Sequence, residues 1–222
     1  MVRWQHPGKG WIAPDIFIPI AEQSGLIQEL GLYVLTTACR QCLAWWQRGL
    51  PRFQLAVNLS FKELRPGFAR QLRHVLENMA FPLANLEIEV TESQIMKFEH
   101  LDELRALHQL GIEIAMDDFG TGHSSLAQLK HLPISKLKID RSFVIDIPDH
   151  DNDNVIVSTI IDMAHSLGLK VLAEGVETEQ QQEFLISRGC DLLQGYLLNK
   201  PIPAEQFERI LIEQLPLESE NK

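Results

Sequence analysis

No stretch of this 222-residue sequence stays apolar long enough to cross a bilayer. Nor does the chain open with the basic residues and short apolar core of an export signal. Both absences lead to the expectation of a cytoplasmic protein with no direct membrane insertion, whatever tethers a larger parent chain. Positive charge is also short: 20 Lys and Arg face 30 Asp and Glu, a formal net charge of −10. Grooves that follow a nucleic-acid backbone are usually basic, so DNA is not an expected partner. An anionic ligand would need a metal or a few placed cations. Cysteine is sparse. Cys39 and Cys42 form a CxxC, but inside the helical pattern "LTTACRQCLAWW" and without a second pair. They read as small residues packing on a helix rather than as zinc or redox chemistry. With Cys190 the thiol count is odd, which suits a reducing compartment. Linkers, low-complexity tracts and repeats are missing too, so one domain over residues 1–215 with a polar tail over 216–222 is expected.

What the sequence does contain is a regular alternation. Short apolar, β-branched runs occur at residues 53–60, 86–93, 112–119, 137–143, 170–177 and 191–198. Segments with helical spacing separate most of them, such as "HLDELRALHQLG" and "NVIVSTIIDMAHSLG", with Gly111 and Gly168 placed as C-caps. Two further helices are expected within residues 14–50. Alternating β and α segments predict a parallel sheet with crossover helices. An eight-stranded barrel needs two strands more than the six visible; Arg3 and Trp4 read as the tail of one of them, and the other is absent.

Polar residues gather at the C-terminal ends of these strands: Asn58; Glu89 and Glu92; Asp117 and Asp118; Lys138 and Asp140; Glu174 and Glu177; Gln194. In a (β/α)₈ barrel those ends form one face, where active sites are built. Taken singly, a strand-end carboxylate is more often a helix cap or a solvated turn, and Glu177 before "TEQQ" fits that best. Asp140 could pair with Lys138 or Arg141. Taken as a set spread over six strands, they point to a site. Asn with several carboxylates is a hard-oxygen donor set suited to Mg²⁺ or Mn²⁺. Two such ions about 4 Å apart can activate water and steady the leaving oxygen of a phosphodiester, with Lys138 orienting the water and offsetting negative charge. Neighbouring strand residues face opposite sides, so Asp117 and Asp118 are expected to share a site only if the strand ends by Asp118. Three look-alikes are set aside. "DFG" has no accompanying glycine-rich nucleotide loop or kinase catalytic loop. "DHDNDN" lacks the calcium-loop glycine and its final glutamate. His123 has no nucleophile to serve.

The ordered motifs "RWQHPGKGWIAPDIFIPIAEQSGLI", "VNLS", "EVTES", "DDFGTGHSSL", "LKID", "AEGVET" and "QGYLLNKP" resemble the EAL domain family over Val2 to about Leu211. That resemblance implies a TIM-like barrel with an antiparallel first strand. It also implies metal-dependent hydrolysis of cyclic di-GMP to linear pGpG by a homodimer, with a sensor or GGDEF domain upstream in the parent protein. Asn58, Glu89, Asp117 and Glu174 match metal ligands, and Asp118 matches a ligand of a second Mg²⁺ or Mn²⁺. Lys138 matches the lysine at the catalytic water and Gln194 a glutamine near that water. Arg3 matches an arginine holding a substrate phosphate, and Pro201 falls on an apolar rim for guanine. Glu92 matches an anchor of the "DDFGTG" loop, a segment also linked to dimerisation. The signature Glu-Ala-Leu would place its Leu at Met1, so its glutamate ligand, the first strand and most of the second are expected to be missing here. His123 replaces a usual Tyr. A piece of a larger protein with impaired turnover is the expectation, the alternative being a catalytically inactive cyclic di-GMP receptor or interaction module. The open barrel edge would invite pairing.

Overall fold

A computed structural model describes residues 2–95, 101–121 and 126–215. The six apolar runs become six parallel strands lying side by side in chain order: β3 (Leu55–Asn58), β4 (Leu86–Thr91), β5 (Glu113–Phe119), β6 (Lys136–Ile139), β7 (Lys170–Ala173) and β8 (Leu192–Leu193). They form a curled, open part of a TIM-like barrel. No described strand pairs with the outer edge of β3 or β8. One row of side chains, including Leu86, Ile88, Val90, Ile114, Met116, Leu137, Ile139 and Val171, is sealed in the main core with residues of the helices. The alternate residues, Glu87, Glu89, Ala115, Asp117, Lys136 and Lys138, occupy the opposite, inner face, as the twofold period of a strand requires.

The helical layer follows from the spacing of apolar residues. It comprises α3 (Phe68–Asn78), the short α4 (Glu92–Ile95), α5 (Leu101–Gln109), α6 (Leu126–Leu129), α7 (Arg141–Val144), α8 (Asp151–Ser166), α9 (Glu179–Ser187) and α10 (Ala204–Glu213). Local chemistry fixes the boundaries. Thr178 and Gln181 make a reciprocal capping box at the start of α9, and Asp140 caps α7 through the Ser142 N–H at 3.0 Å. Asp140 is therefore a helix cap and forms no ion pair with Lys138 or Arg141 among the described residues.

Ahead of the sheet lie α1 (Pro14–Ser24) and α2 (Ile27–Gln47), the two helices expected there. Trp4 does begin a strand, but β1 (Trp4–His6) folds back on β2 (Gly10–Ile12) in a separate antiparallel hairpin and adds nothing to the parallel sheet. Gly10, with a left-handed φ of 70°, begins the returning strand. The last helix crosses to the first ones. Trp45 of α2 donates to Glu208 of α10 at 2.9 Å, Arg48 pairs with the same carboxylate, and Leu50 and Leu211 pack beneath. The sheet is open, yet its helical layer is joined across the gap. Cys39 and Cys42 are buried in α2, where burial pushes their thiols up to about 12 and about 11, the behaviour of packing residues.

After β3 the chain turns under α2. Glu63 is buried there and accepts the Ser60 N–H at 2.9 Å. Gly31 makes the room, since a Cβ at that position would come within 1.7 Å of Glu63 Oε1. Burial pushes the Glu63 carboxyl up to about 7.

The two adjacent aspartates show a departure from the expected route. The strand does not end before Asp118; β5 continues to Phe119. Against β6, Met116 pairs with Leu137 and Phe119 with Ile139, leaving two residues opposite Lys138 alone. That is a β-bulge, uncommon in parallel pairs. Asp118 sits in the left-handed region at φ 56°, a conformation Asp tolerates better than most residues. The extra residue lets both carboxylates reach the same side. Among the described residues, the tail over 216–222 and His123 do not figure.

Candidate functional site: a lysine among strand-end carboxylates

Lys138 is the centre of the arrangement. Its ammonium lies 2.8 Å from Glu89 Oε1, 2.9 Å from Asp117 Oδ1 and 2.7 Å from Glu174 Oε1. A lysine has three N–H donors, and here each faces a carboxylate. The strands β4, β5 and β6 and the residue just after β7 each contribute one of these groups, and parallel register sets their heights. Glu174 follows β7 directly, its N–H donating to Ile139 O at 3.1 Å. Asn58 ends β3 beside Glu89, and its Nδ2 donates to Glu89 Oε2 at 3.0 Å.

The oxygens left over define what the site can hold. Both Glu89 oxygens are engaged, one by Lys138 and one by Asn58. Asp117, Asp118 and Glu174 each offer an oxygen, and these lie within 4.8 Å of one another, a grouping able to hold a cation. Their hard-oxygen chemistry suits a divalent cation of the Mg²⁺ or Mn²⁺ kind. A second grouping, Asp146, His150 and Asp153, lies mostly exposed at the start of α8.

Electrostatics follow from crowding. Burial alone would lower the Lys138 pKa, but Glu89, Asp117 and Glu174 together hold it above the usual lysine range. For Glu174, burial raises the carboxyl, Lys138 pulls it back, and Asp117 and Glu89 push it up again, leaving it raised. Asp118 is raised by burial and then by Asp117 and Asp140. A cation entering here would relieve that repulsion.

The other expected residues divide. Glu92 begins α4 and is buried; its Oε2 accepts the Gly120 N–H at 2.8 Å, tying the loop after β5 to the end of β4. Gly120 needs its φ of 99°, and a Cβ there would meet the Phe143 ring at 2.6 Å. Gln194 lies past β8 with its backbone bonded to Ala173 and Val176, but its side chain is exposed. Pro201 is exposed between β8 and α10, and Arg3 is exposed before the hairpin; neither bonds to the carboxylate cluster. Glu177 pairs with Arg141 at 2.8 Å, away from Lys138, and the helix cap is its neighbour Thr178. What strand ends alone did not reveal is a second Glu–Lys rung below the first, formed by Glu87 and Lys136. Its signal was the period-two charge in "LEIEV" and "SKLKI".

A parallel half-barrel with acids, an amide and a lysine at its C-terminal strand ends defines a class of strand-end, oxygen-donor sites. The EAL domain profile matches residues 1–201, and the chain belongs to that family. It is 46% identical over 210 residues to the bifunctional diguanylate cyclase/cyclic di-GMP phosphodiesterase MucR of Pseudomonas aeruginosa, covering 93% of this chain and 31% of that protein. It is 44% identical over 216 residues to the cyclic di-GMP phosphodiesterase NbdA of the same organism, covering 95% of this chain and 27% of that protein. The chain thus spans under a third of these relatives' length. Among solved structures, the PaMucR phosphodiesterase in complex with c-di-GMP superposes with a TM-score of 0.86 at 46% identity, over 92% of this chain and 84% of that one.

Proposed function

We propose that residues 1–215 are the phosphodiesterase unit of a larger bacterial signalling protein, hydrolysing one phosphodiester bond of cyclic di-GMP to give pGpG. The observation that carries this reading is the convergence of Asp117, Asp118 and Glu174 around the Lys138 ammonium at the C-terminal strand ends. Family membership and likeness to a phosphodiesterase structure with cyclic di-GMP support it. Asn58, Glu89, Asp117 and Glu174 would hold one Mg²⁺ or Mn²⁺, and Asp118 a second. Such ions, when bound, supply an activated water and stabilise charge on the phosphoryl oxygens.

The chain's own residues do the rest. Lys138 orients the attacking water and offsets the charge that develops on the phosphoryl group. Asp117 and Glu174 hold that ammonium in place. Gln194 stands beside the water, Arg3 holds a substrate phosphate, and Pro201 offers an apolar edge to a guanine. Glu92 fixes the loop at Gly120, through which two copies form a homodimer. The protein works in the cytoplasm, under an upstream sensor or GGDEF domain. Among the described residues no helix is long and apolar enough to cross a membrane.

The test is conversion of cyclic di-GMP to pGpG by the purified chain with Mg²⁺ or Mn²⁺, followed by chromatography. Chelator should abolish turnover, and Glu174→Ala should reduce it by about 10³-fold, the scale seen when a group stabilising transition-state charge is lost. Chelator-resistant hydrolysis would sink the metal mechanism. Tight nucleotide binding without any product would make the chain a receptor instead.

A further inference from the structure

The inner face carries a second rung that the proposed reaction does not use. Lys136 Nζ donates directly to Glu87 Oε2, and the two residues are only 5% and 2% exposed. Strand β4 supplies Glu87 and Glu89, two residues apart on one face; β6 supplies Lys136 and Lys138 with the same spacing. Each lysine reaches across β5 to one glutamate: Lys136 to Glu87 below, Lys138 to Glu89 above. Ala115 stands opposite both Glu89 and Lys136 in the register, so only a methyl group separates the rungs.

From this two-storey arrangement we propose that Lys136 is a positioning residue: by holding Glu87, it reserves the Lys138 ammonium for the three upper carboxylates. All three Lys138 donors are already spent. A fourth buried carboxylate within reach could be served only by withdrawing the ammonium from one of the others. Glu87 lies one rung lower on the same strand face, opposite Glu113 and paired with Lys136, with Lys138 the next cation on that face. A charge left buried and unpaired is strongly unfavourable, so in the absence of Lys136 its nearest remedy is Lys138. Drawing Lys138 down over Ala115 would move the ammonium off the attacking water. It would also leave more negative charge on Glu89, Asp117 and Glu174. The lower rung therefore sets both the aim of the lysine and the charge presented to a cation. Its kinetic consequence rests on the hydrolysis reading; its effect on cation binding does not.

The experiment compares wild type, Lys136→Gln, Lys136→Met and the double variant Glu87→Gln/Lys136→Met as full chains. Two measurements are made: Mn²⁺ binding by calorimetry on nucleotide-free protein, and steady-state hydrolysis of cyclic di-GMP in Mn²⁺. For Lys136→Met, kcat should fall about 10–100-fold with KM little changed, the range for groups that orient metal ligands, and the Mn²⁺ Kd should fall about 10-fold as the ammonium leaves the upper carboxylates. The double variant, which has no stray carboxylate to draw Lys138 away, should recover both to within about threefold. Lys136→Gln, still able to donate one hydrogen bond to Glu87, should fall between.

A purely structural pair would instead lower thermal stability while leaving kcat and Mn²⁺ affinity at wild-type values, and that result overturns the inference. So does a double variant no better than Lys136→Met. If Lys136→Met fails to fold by circular dichroism, wild-type constants in Lys136→Gln are decisive against the proposal. If wild type binds Mn²⁺ but forms no pGpG, the hydrolysis reading fails while the Mn²⁺ series still judges Lys136.

Discussion

Lys138, on a strand with neighbours on both sides, is tied to three carboxylates. Gln194, just past the edge strand β8, is held by its backbone and offers an exposed side chain bonded to no described residue. At the other margin, Asn58 is exposed but leans on Glu89 of the next strand inward. In the middle of the sheet, register on both flanks fixes each side chain's height, and burial makes a polar partner obligatory. At the margins neither constraint is complete. Order among these side chains is thus a property of the interior strands β4 to β7.

This contrast can be broken first at its centre. Lys138→Met removes the shared cation and should lower the rate of pGpG formation by about 10²–10³-fold, measured under saturating nucleotide. Next in size is a pH effect near the β3 margin. Glu63 has its folded pKa raised to about 7 from an ordinary 4.5. The folded state therefore binds this proton more tightly than the unfolded one, and stability falls as pH rises from about 4.5 through 7. Glu63→Gln should relieve up to about 3 kcal/mol at pH 8 and almost nothing at pH 4, read from urea unfolding at both values. A gain of equal size at both pH values would contradict this.

Ala115→Leu fills the space between the two rungs and should destabilise the fold by about 1–3 kcal/mol through overpacking. It should also lower kcat, since neither lysine could then cross β5 unhindered. Gln194→Ala should give the smallest change: unfolding free energy within about 0.5 kcal/mol of wild type, as for an exposed side chain away from packing. Any loss would appear in kcat or nucleotide affinity alone.

Much of the architecture was legible because both periods were clean. "LEIEVTES" and "IEIAMDDF" alternate over a strand's length, and the helical segments between them carry caps where they should. The strand-end residues can be gathered by position alone, and the structure places the Lys138 ammonium against three of their carboxylates. The N-terminal hairpin was not visible. Its strands are three residues each, and "WQHPGKGWI" holds no apolar alternation to announce pairing. For Asp140 the residue type leaves cap and ion pair open; the Ser142 N–H decides for the cap. The lower rung escaped notice because strand-end reasoning stops at the last inward residue, whereas Glu87 and Lys136 lie one step deeper.

The bulge in β5 has a consequence for how such a pair of aspartates can arise. Strike Asp118 from the count, and Met116, Asp117 and Phe119 stand one for one against Leu137, Lys138 and Ile139. Asp117 still faces inward, and Phe119 still faces the core in which it is buried. Asp118 is thus the equivalent of a one-codon insertion into an otherwise regular strand, placed where it reverses no other side chain. The bulge adds a second carboxylate to the inner face while the Asp118 carbonyl, accepting from the Thr121 hydroxyl, starts the turn out of the strand.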